Sequence, residues 1–296
     1  MTLPLFSPAE DPGPSFPELL RRQPLPGLPR WEAADVPAGK WALPGAPGLP
    51  GAAWVPAGQV RPSGPDLDLP HGTTVVALRY AEGVVMAGDR RATEGHTIAH
   101  RSIEKVFPAD HWSGVCIAGV AGFAIEMVRL FQTQLEHYEK LEGMPLSLEG
   151  KANQLSQMVR GNLPMAMQGL AVIPLFAGWD TRRKVGRIFT FDVTGGRYEE
   201  TDHHATGSGG RDARTTIKLG WREGLGRDEA IELAIQGLYE AADEDSATGG
   251  PDVVRGIYPT VATIGPRGFA YVEESEVAER FRALIARKSG EGGGPR

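Results

Sequence analysis

The chain has 296 residues, of which 41% are hydrophobic and 23% are charged, so it is long enough to bury a sizeable core. Its formal net charge of −6 argues against binding to a nucleic-acid backbone, which requires a concentrated basic surface. Its single cysteine, Cys116, cannot form an internal disulfide or a cysteine-based metal site, which favours the cytoplasm. The sequence contains neither an apolar stretch long enough to span a membrane nor a signal-peptide pattern, so we expect no association with a membrane. The acidic net charge leads us to expect no nucleic-acid partner.

Proline content divides the chain near residue 72. Sixteen of the 24 prolines lie in residues 1–72, and stretches such as 23–29 lack the backbone donors and periodicity that helices and sheets need. We expect this segment to be mostly unstructured, whether it is a plain tail or a segment removed from the chain. Residues 289–296, which include three consecutive glycines, are expected to form a flexible C-terminal tail.

The region between these ends shows alternating groups of strands and helices. Two β-rich runs, 73–80 and 83–89, are joined by a short glycine-containing turn and predict a hairpin. Hairpins followed by pairs of helices predict antiparallel sheets covered by helices, an α+β layered sandwich, rather than a parallel sheet. The later elements are predicted as a strand at 114–120, helices at 123–138 and 148–159, strands at 172–178 and 185–192, a helix ending at 219, a helix at 228–242 capped by Asp228, a hairpin at 260–264 and 268–272, and a helix at 275–287.

Gly72 and Thr73 lie where the proline-rich composition ends and the first strand begins. Cleavage between them would leave Thr73 as a new N-terminus, with a hydroxyl nucleophile and a free α-amine in one residue. An α-amine has an ordinary pKa of about 7.7–8.0, so it can accept the hydroxyl proton directly or through water. The alternative is that the run beginning at Thr73 is simply the edge of a β-strand.

Two charged residues strengthen the catalytic interpretation. Asp89 and Lys105 each lie in or beside a β-rich segment, where a buried charge needs a partner. An ammonium held by Asp89 near the N-terminal amine would lower the pKa of that amine and favour the neutral base. Both residues could instead be exposed charges at strand ends.

Other polar motifs do not predict a ligand site. His203 and His204 are adjacent, so they point to opposite sides of a strand, and we expect them to be exposed rather than to bind a metal. Residues 207–211 lack the Gly-Lys-Ser/Thr ending of a phosphate-binding loop. We therefore expect no metal and no cofactor.

Several motifs, in order along the chain, resemble those of proteasome β subunits, most closely the catalytic β subunit of actinobacterial 20S proteasomes. The similarity spans about residues 73–287. The motifs are residues 72–77, residues 88–93, Lys105, residues 119–122, residues 207–210 and residues 245–250.

This resemblance implies an N-terminal-nucleophile hydrolase with a four-layer αββα sandwich of two antiparallel sheets. It implies that residues 1–72 are a propeptide removed by self-cleavage at Gly72-Thr73, and that residues 73–288 form the peptidase domain. Thr73 would be the nucleophile and, through its amine, the base. Lys105 would tune that amine and Asp89 would hold Lys105.

By the same resemblance, the backbone N–H of Gly119 would form the oxyanion hole, while Ser208 and Asp245 would hydrogen-bond around the new N-terminus. Thr248 occupies a position where the family motif often has serine, so the hydroxyl is retained and only its detailed hydrogen bonding is open. The pocket for the side chain preceding the cut would be lined by Ala92, Ile103, Ile117 and Ala121. Thr93 and Gly119 would pair with the peptide backbone.

Strand parity agrees with this pocket, because Ile103 and Lys105 are two apart on one run while Ile117, Gly119 and Ala121 share a side of another. Two isoleucines with two small alanines between them predict preferential cleavage after large apolar or aromatic residues.

The leading hypothesis is a threonine endopeptidase that is made as an inactive precursor and degrades unfolded proteins inside a cytoplasmic barrel. Its partners would be other β subunits in a heptameric ring, α-subunit rings, an ATPase activator ring and small-protein-tagged substrates. The alternatives are a non-catalytic structural ring subunit, an amidohydrolase of the same fold acting on small amides, and a subunit of the simpler two-component bacterial peptidase. The long leader and the motif at Asp245 favour the proteasome over that simpler peptidase.

Overall fold

The computed structural model describes residues 72–94 and 97–291 of the chain. Residues 1–71 of the predicted propeptide and residues 292–296 of the predicted tail lie outside the described part. The strands are β1 (Thr74–Tyr80), β2 (Gly83–Gly88), β3 (Ala92–Glu94), β4 (Thr97–His100), β5 (Val106–Asp110), β6 (Ser113–Gly119), β7 (Val172–Asp180), β8 (Val185–Phe191), β9 (Arg197–Glu200), β10 (His203–Gly207), β11 (Thr260–Gly265) and β12 (Gly268–Tyr271). The helices are α1 (Ala121–Glu142), α2 (Leu148–Gly161), α3 (Leu163–Ala166), α4 (Gly210–Gly220), α5 (Arg227–Glu244) and α6 (Glu274–Glu291).

Ten of the strands form two five-stranded sheets. The first has the order β10-β1-β2-β11-β12 and the second has the order β5-β6-β7-β8-β9, while β3 and β4 form a separate hairpin. Every pairing within these sheets is antiparallel.

The side chains of β1 divide between two layers of the core, as the alternation of a strand requires. Val75 and Ala77 face the second sheet and pack in the cluster between the sheets. Val76 and Leu78 face the other way and pack in a cluster with residues of α4, α5 and α6. A third cluster joins the outer face of the second sheet to α1 and α2. The order of layers is therefore helix, sheet, sheet, helix, and the predicted α+β sandwich of two antiparallel sheets is confirmed.

Strand register brings distant segments to the start of β1. Thr74 lies opposite Gly207 of β10, and Val75 lies opposite Gly88 of β2. The residues that follow those two strands, Ser208 and Asp89, are therefore placed beside the beginning of β1. One end of the first sheet thus collects residues that are up to 135 positions apart in sequence.

Three local expectations differ from the structure. Asp228 does not cap its helix: α5 begins at Arg227, and Glu229 accepts a hydrogen bond of 3.0 Å from the N–H of the capping residue Gly226. Ile103 and Lys105 lie in the connection between β4 and β5 rather than on a strand. Ala121 is the first residue of α1, so it does not continue the strand that contains Ile117 and Gly119. In each case the sequence pattern predicted the kind of element correctly but placed its first or last residue wrongly.

Two further findings concern the ends of elements and membrane insertion. Helix α6 continues to Glu291, three residues into the segment expected as a tail. Within residues 72–94 and 97–291, no helix combines the length and the apolar character needed to cross a bilayer.

Candidate active site

Thr73 lies immediately before β1 and is only 5% exposed. Its hydroxyl donates a hydrogen bond of 2.7 Å to the carbonyl oxygen of Gly72. Its own carbonyl accepts the backbone N–H of Ser208 at 2.8 Å, which extends the pairing of β1 with β10 by one residue. The hydroxyl is thereby held against the peptide group that joins it to the predicted propeptide.

Lys105 approaches the same peptide group from the connection before β5. Its ammonium donates to the carbonyl of Gly72 at 3.2 Å, to Asp89 Oδ1 at 2.6 Å and to the carbonyl of Arg91 at 2.6 Å. An ammonium has three protons, so these three bonds use its full donor capacity. The side chain is 4% exposed, so its charge is compensated within the protein rather than by water.

Asp89 follows β2 directly and is fully buried. Besides Lys105, its carboxylate accepts the backbone N–H groups of Thr74 at 2.8 Å, Arg91 at 2.9 Å and Gly249 at 2.8 Å. These four donors engage both carboxylate oxygens, so the buried side chain has its hydrogen-bonding partners within the protein. Asp89 therefore fixes the position of Lys105 relative to the start of β1.

The pKa of Lys105 is lowered from its ordinary value. Burial is the main cause, and the negative charge and hydrogen bond of Asp89 offset part of it. The hydrogen bond and charge of Asp89 thus support the charged form of Lys105 against the cost of burial.

A second polar group lies on the other side of Thr73. The Thr73 N–H donates to Ser208 Oγ at 3.4 Å, and the Ser208 hydroxyl donates to Asp245 Oδ2 at 2.5 Å. Thr248 Oγ1 donates to the same carboxylate oxygen at 2.6 Å. Burial opposes ionisation of Asp245, but the hydrogen bonds from Ser208, Thr248 and the backbone outweigh it, and the pKa of Asp245 lies below its ordinary value.

A small cleft opens beside Gly72 and Thr73. Its lining includes five of the six residues predicted to contact substrate, while the sixth, Thr93, lies beside Gly72. Three further lining residues, which belong to α1 and to the connection before β5, were not predicted. The predicted lining residues are Ala92, Ile103, Ile117, Gly119 and Ala121, and the additional ones are Glu104, Ala124 and Ile125.

Gly119 has a backbone conformation that excludes other residues. Its φ of +119° is strained for any residue with a side chain, and a Cβ there would lie 2.1 Å from the carbonyl oxygen of Ala171. A glycine is thus required at the point where the backbone turns from β6 into α1. Its part in an oxyanion hole stays a prediction.

All the predicted catalytic residues therefore meet around Thr73 or line its cleft, although their roles remain predictions. Thr74, which was not predicted, also belongs to this group, because its N–H contacts Asp89 and its hydroxyl lies 2.6 Å from that of Thr248. A strand pattern gives no signal of such contacts.

The two adjacent histidines are a correction. His203 is 8% exposed and packs near Trp221, and the side chain of His204 is 18% exposed, so the expectation of two exposed histidines was wrong. Burial lowers the pKa of both side chains. In the described part of the chain, no group of three or more His, Cys, Asp or Glu side chains is arranged to hold a metal ion.

The two sheets between helical layers, with a threonine and its charged neighbours at the start of the first strand, define the fold of an N-terminal-nucleophile hydrolase. The profile of the family described as proteasome subunit matches residues 69–255. The chain belongs to the proteasome subunit family, as its motifs predicted.

Curated relatives agree with this assignment. The chain is 58% identical over 279 residues to a protein named proteasome subunit beta from Acidimicrobium ferrooxidans, a match that covers 94% of this chain and 92% of the relative. Proteins of the same name from Streptomyces griseus and Jonesia denitrificans are 56% and 57% identical, over 78% and 74% of this chain and 82% and 73% of their own length. This membership supports a protease that assembles in rings with other proteasome subunits.

Proposed function

We propose that this chain is the catalytic β subunit of a 20S proteasome core, an endopeptidase whose nucleophile is Thr73. In this proposal the precursor cleaves itself between Gly72 and Thr73, residues 1–72 leave as a propeptide, and the mature subunit degrades unfolded proteins inside a barrel. The supporting observation is the convergence on one peptide group: the Thr73 hydroxyl and the Lys105 ammonium both donate to the Gly72 carbonyl oxygen, at 2.7 and 3.2 Å.

Self-cleavage begins with attack of Thr73 Oγ1 on the carbonyl carbon of Gly72. The C–N bond to Thr73 breaks, the proton lost by the attacking hydroxyl passes to the leaving nitrogen, which becomes the free amine, and Gly72 is left as an ester of the Thr73 hydroxyl. Water then hydrolyses the ester, which releases a carboxylate at Gly72 and restores the hydroxyl. Lys105 favours the first step because its positive charge stabilises the negative charge that develops on the Gly72 oxygen.

The amine that this cleavage creates completes the catalytic group. In the precursor the Thr73 nitrogen is an amide and cannot act as a base, so the precursor is inactive. In the mature chain the amine takes the hydroxyl proton during attack on a substrate carbonyl and returns it to the leaving amine. Lys105 lowers the pKa of this amine by electrostatic repulsion, and the Gly119 N–H stabilises the oxyanion.

Two other functions fit the fold. A structural ring subunit without catalysis would not need a buried ammonium directed at Gly72, whose desolvation costs several kcal/mol before compensation. An amidohydrolase of small amides would use the same nucleophile and base, and only its substrates would differ. The apolar lining of the cleft by Ile103, Ile117 and Ile125 favours a peptide side chain over a small polar amide.

The proposed partners follow from the family and its actinobacterial relatives. They are other β subunits in a heptameric ring, α-subunit rings, an ATPase activator ring and small-protein-tagged substrates in the cytoplasm.

The decisive measurement is the N-terminal residue and intact mass of the assembled protein, purified with a proteasome α subunit. We expect Thr73 at the N-terminus of the wild type and an uncleaved chain for Thr73→Ala. The wild type should hydrolyse an unstructured peptide, and Thr73→Ala should not. Cleavage of Thr73→Ala after Gly72 in a protease-deficient host would exclude self-processing. A mature wild-type assembly that hydrolyses small amides but no peptide would favour the amidohydrolase.

A further inference from the structure

Thr74 follows the nucleophile directly and is fully buried. Its hydroxyl oxygen accepts the backbone N–H of Gly209 at 2.9 Å and lies 2.6 Å from Thr248 Oγ1. It therefore connects the start of β1 to the beginning of α4 and to the loop after α5. No step of the chemistry above uses this hydroxyl.

The direction of each hydrogen bond in this group follows from counting protons. An ionised Asp245 only accepts, so Ser208 and Thr248 each give their single hydroxyl proton to it. Thr248 Oγ1 then has no proton left, so the 2.6 Å contact requires Thr74 to donate to Thr248. The Thr74 oxygen in turn accepts from Gly209.

The same count of protons determines whether Ser208 donates a hydrogen bond to the Thr73 nitrogen or accepts one from it. Two acceptors lie near the single proton of the Ser208 hydroxyl, the Thr73 carbonyl oxygen at 3.3 Å and Asp245 Oδ2 at 2.5 Å, and the shorter contact with the carboxylate takes it. Only lone pairs of the Ser208 oxygen then remain for the Thr73 nitrogen 3.4 Å away. After maturation, an amine at Thr73 would donate to Ser208 and keep its own lone pair free to take the hydroxyl proton. If Ser208 donated instead, it would occupy that lone pair and weaken the base.

Gly209 shows how closely this group is packed. A Cβ at position 209 would lie 2.7 Å from Thr248 Oγ1 and 2.8 Å from Thr74 Oγ1. Removing the Thr74 hydroxyl would leave the buried Gly209 N–H without its acceptor and Thr248 without its donor. Buried polar groups without partners are costly, so the segments carrying Ser208 and Thr248 would shift to find new ones.

We propose that Thr74 is a positioning residue of the peptidase, whose hydroxyl orders the chain Gly209–Thr74–Thr248–Asp245–Ser208 so that Ser208 presents an acceptor to the Thr73 amine. This proposal rests on the proposed function, because it concerns the base of that reaction. Thr74 would affect catalysis by positioning Ser208 and would not contact the substrate.

The test compares Thr74→Val, which keeps the shape of threonine without its hydroxyl, with Thr74→Ser, which keeps the hydroxyl. The matched control is Thr190→Val, which removes a buried hydroxyl that donates to Glu200 at 3.1 Å in the other sheet. All are made as full-length chains, assembled with the α subunit, and assayed for kcat and KM against pH.

We expect Thr74→Val to lower kcat about tenfold or more with KM nearly unchanged, since the interaction acts on the base and not on substrate binding. The acid limb of its pH profile should move to lower pH, because an ammonium that loses an acceptor has a lower pKa. Thr74→Ser and Thr190→Val should retain the wild-type limb and nearly all of the kcat.

A wild-type rate and acid limb in Thr74→Val would overturn the proposal, as would equal losses in Thr74→Ser and Thr74→Val. If Thr74→Val does not assemble, Thr248→Val interrupts the same chain and decides in its place. Where both assemble, the double variant should be no slower than the worse single one. Absence of hydrolysis in wild type and Thr190→Val would instead refute the proposed function itself.

Discussion

In the part of the chain that the structure describes, two buried lysines, Lys105 and Lys151, each pair with an aspartate, and the surroundings of the two pairs differ. Lys105 and Asp89 are 4% and 0% exposed, while Lys151 and Asp110 are 3% and 16% exposed. By burial alone the two pairs are nearly equivalent, and either one would be costly to separate.

The partners of the two carboxylates distinguish the pairs. Asp110 lies at the end of β5 and, apart from Lys151 of α2, accepts from the Trp112 N–H at 3.0 Å and the Ser113 hydroxyl at 2.6 Å. Both donors belong to its own turn. Asp89 instead accepts from residues of separate segments, among them Thr74 and Gly249, which are 15 and 160 positions away.

The two pairs also differ in what lies beside the ammonium. Lys105 donates to the carbonyl of Gly72, next to the Thr73 hydroxyl. Lys151 connects α2 to the β5–β6 turn and lines a wider cleft with Trp112 and Trp179. The ammonium of Lys105 thus reaches the predicted catalytic threonine's peptide group, whereas that of Lys151 lies away from it.

Removing each lysine should separate the two roles most clearly. We expect Lys105→Ala to lower peptide hydrolysis by roughly 10³-fold or more while the fold is retained, because three backbone donors still hold Asp89. Lys151→Ala should keep a near-wild-type rate but lose about 3 kcal/mol of stability, since Asp110 loses its counter-charge. Peptide hydrolysis and denaturant unfolding of both variants measure this contrast, and comparable activity losses would contradict it.

Arginine substitutions test whether charge alone is sufficient. Lys105→Arg should fail nearly as badly as Lys105→Ala, because a planar guanidinium cannot reproduce three bonds that diverge from one nitrogen. Lys151→Arg should retain activity. A near-normal kcat in Lys105→Arg would show that the geometry around Gly72 is unimportant.

The cleft beside Lys105 should select substrates, whereas the cleft beside Lys151 should not. Ala121→Val adds two methyl groups between Ile103 and Ile117, so it should reduce turnover after Leu, Phe or Tyr more than after Ala, by about 1–3 kcal/mol. Thr181→Val in the wider cleft should leave this ratio unchanged. Peptides that differ only at the residue before the cut provide the measurement. A higher kcat/KM after Asp or Glu than after Leu would refute the pocket.

The smallest expected effect is a change in pH dependence. Burial already lowers the pKa of Lys105, and Asp89 offsets part of that shift, so Asp89→Asn should lower it further. The ammonium is lost as pH rises through this pKa, so the alkaline limb of the residual activity should move to lower pH. Asp110→Asn should leave that limb in place. An unmoved limb in Asp89→Asn would mean that Lys105 does not titrate in the reaction.

The strongly periodic parts of the fold were predictable from the sequence. The β1–β2 hairpin, the strand β6 and the long helices have apolar residues at the spacing of their element. The strands β3, β4, β5, β9 and β10 were not predicted. They are three to five residues long, and β4 and β9 contain no buried residue, so their formation depends on pairing partners rather than on their own pattern.

Residues of the candidate site that carry a sequence signal were predicted, whereas residues that join it only through tertiary contacts were missed. Asp89 and Lys105 were found first as charged residues in or beside β-rich segments, and the motif resemblance then assigned their roles. The Lys151–Asp110 pair was missed, because nothing in a helix repeat indicates which charged residue a distant turn will meet. Thr74 was interpreted only as a strand residue, since its role depends on Gly209 and Thr248, which folding brings from 135 and 174 positions away.

The glycine at position 72 has a consequence for how this enzyme could diversify. A Cβ there would lie 2.5 Å from both the Ala247 carbonyl oxygen and Thr93 Oγ1, so the residue at the predicted maturation cut contributes no side chain to the neighbouring cleft. Self-cleavage would then be independent of the side-chain preference that the cleft imposes on other proteins. Mutations that enlarge, shrink or recharge the cleft could accumulate without blocking activation, which leaves substrate choice free to evolve separately from biogenesis.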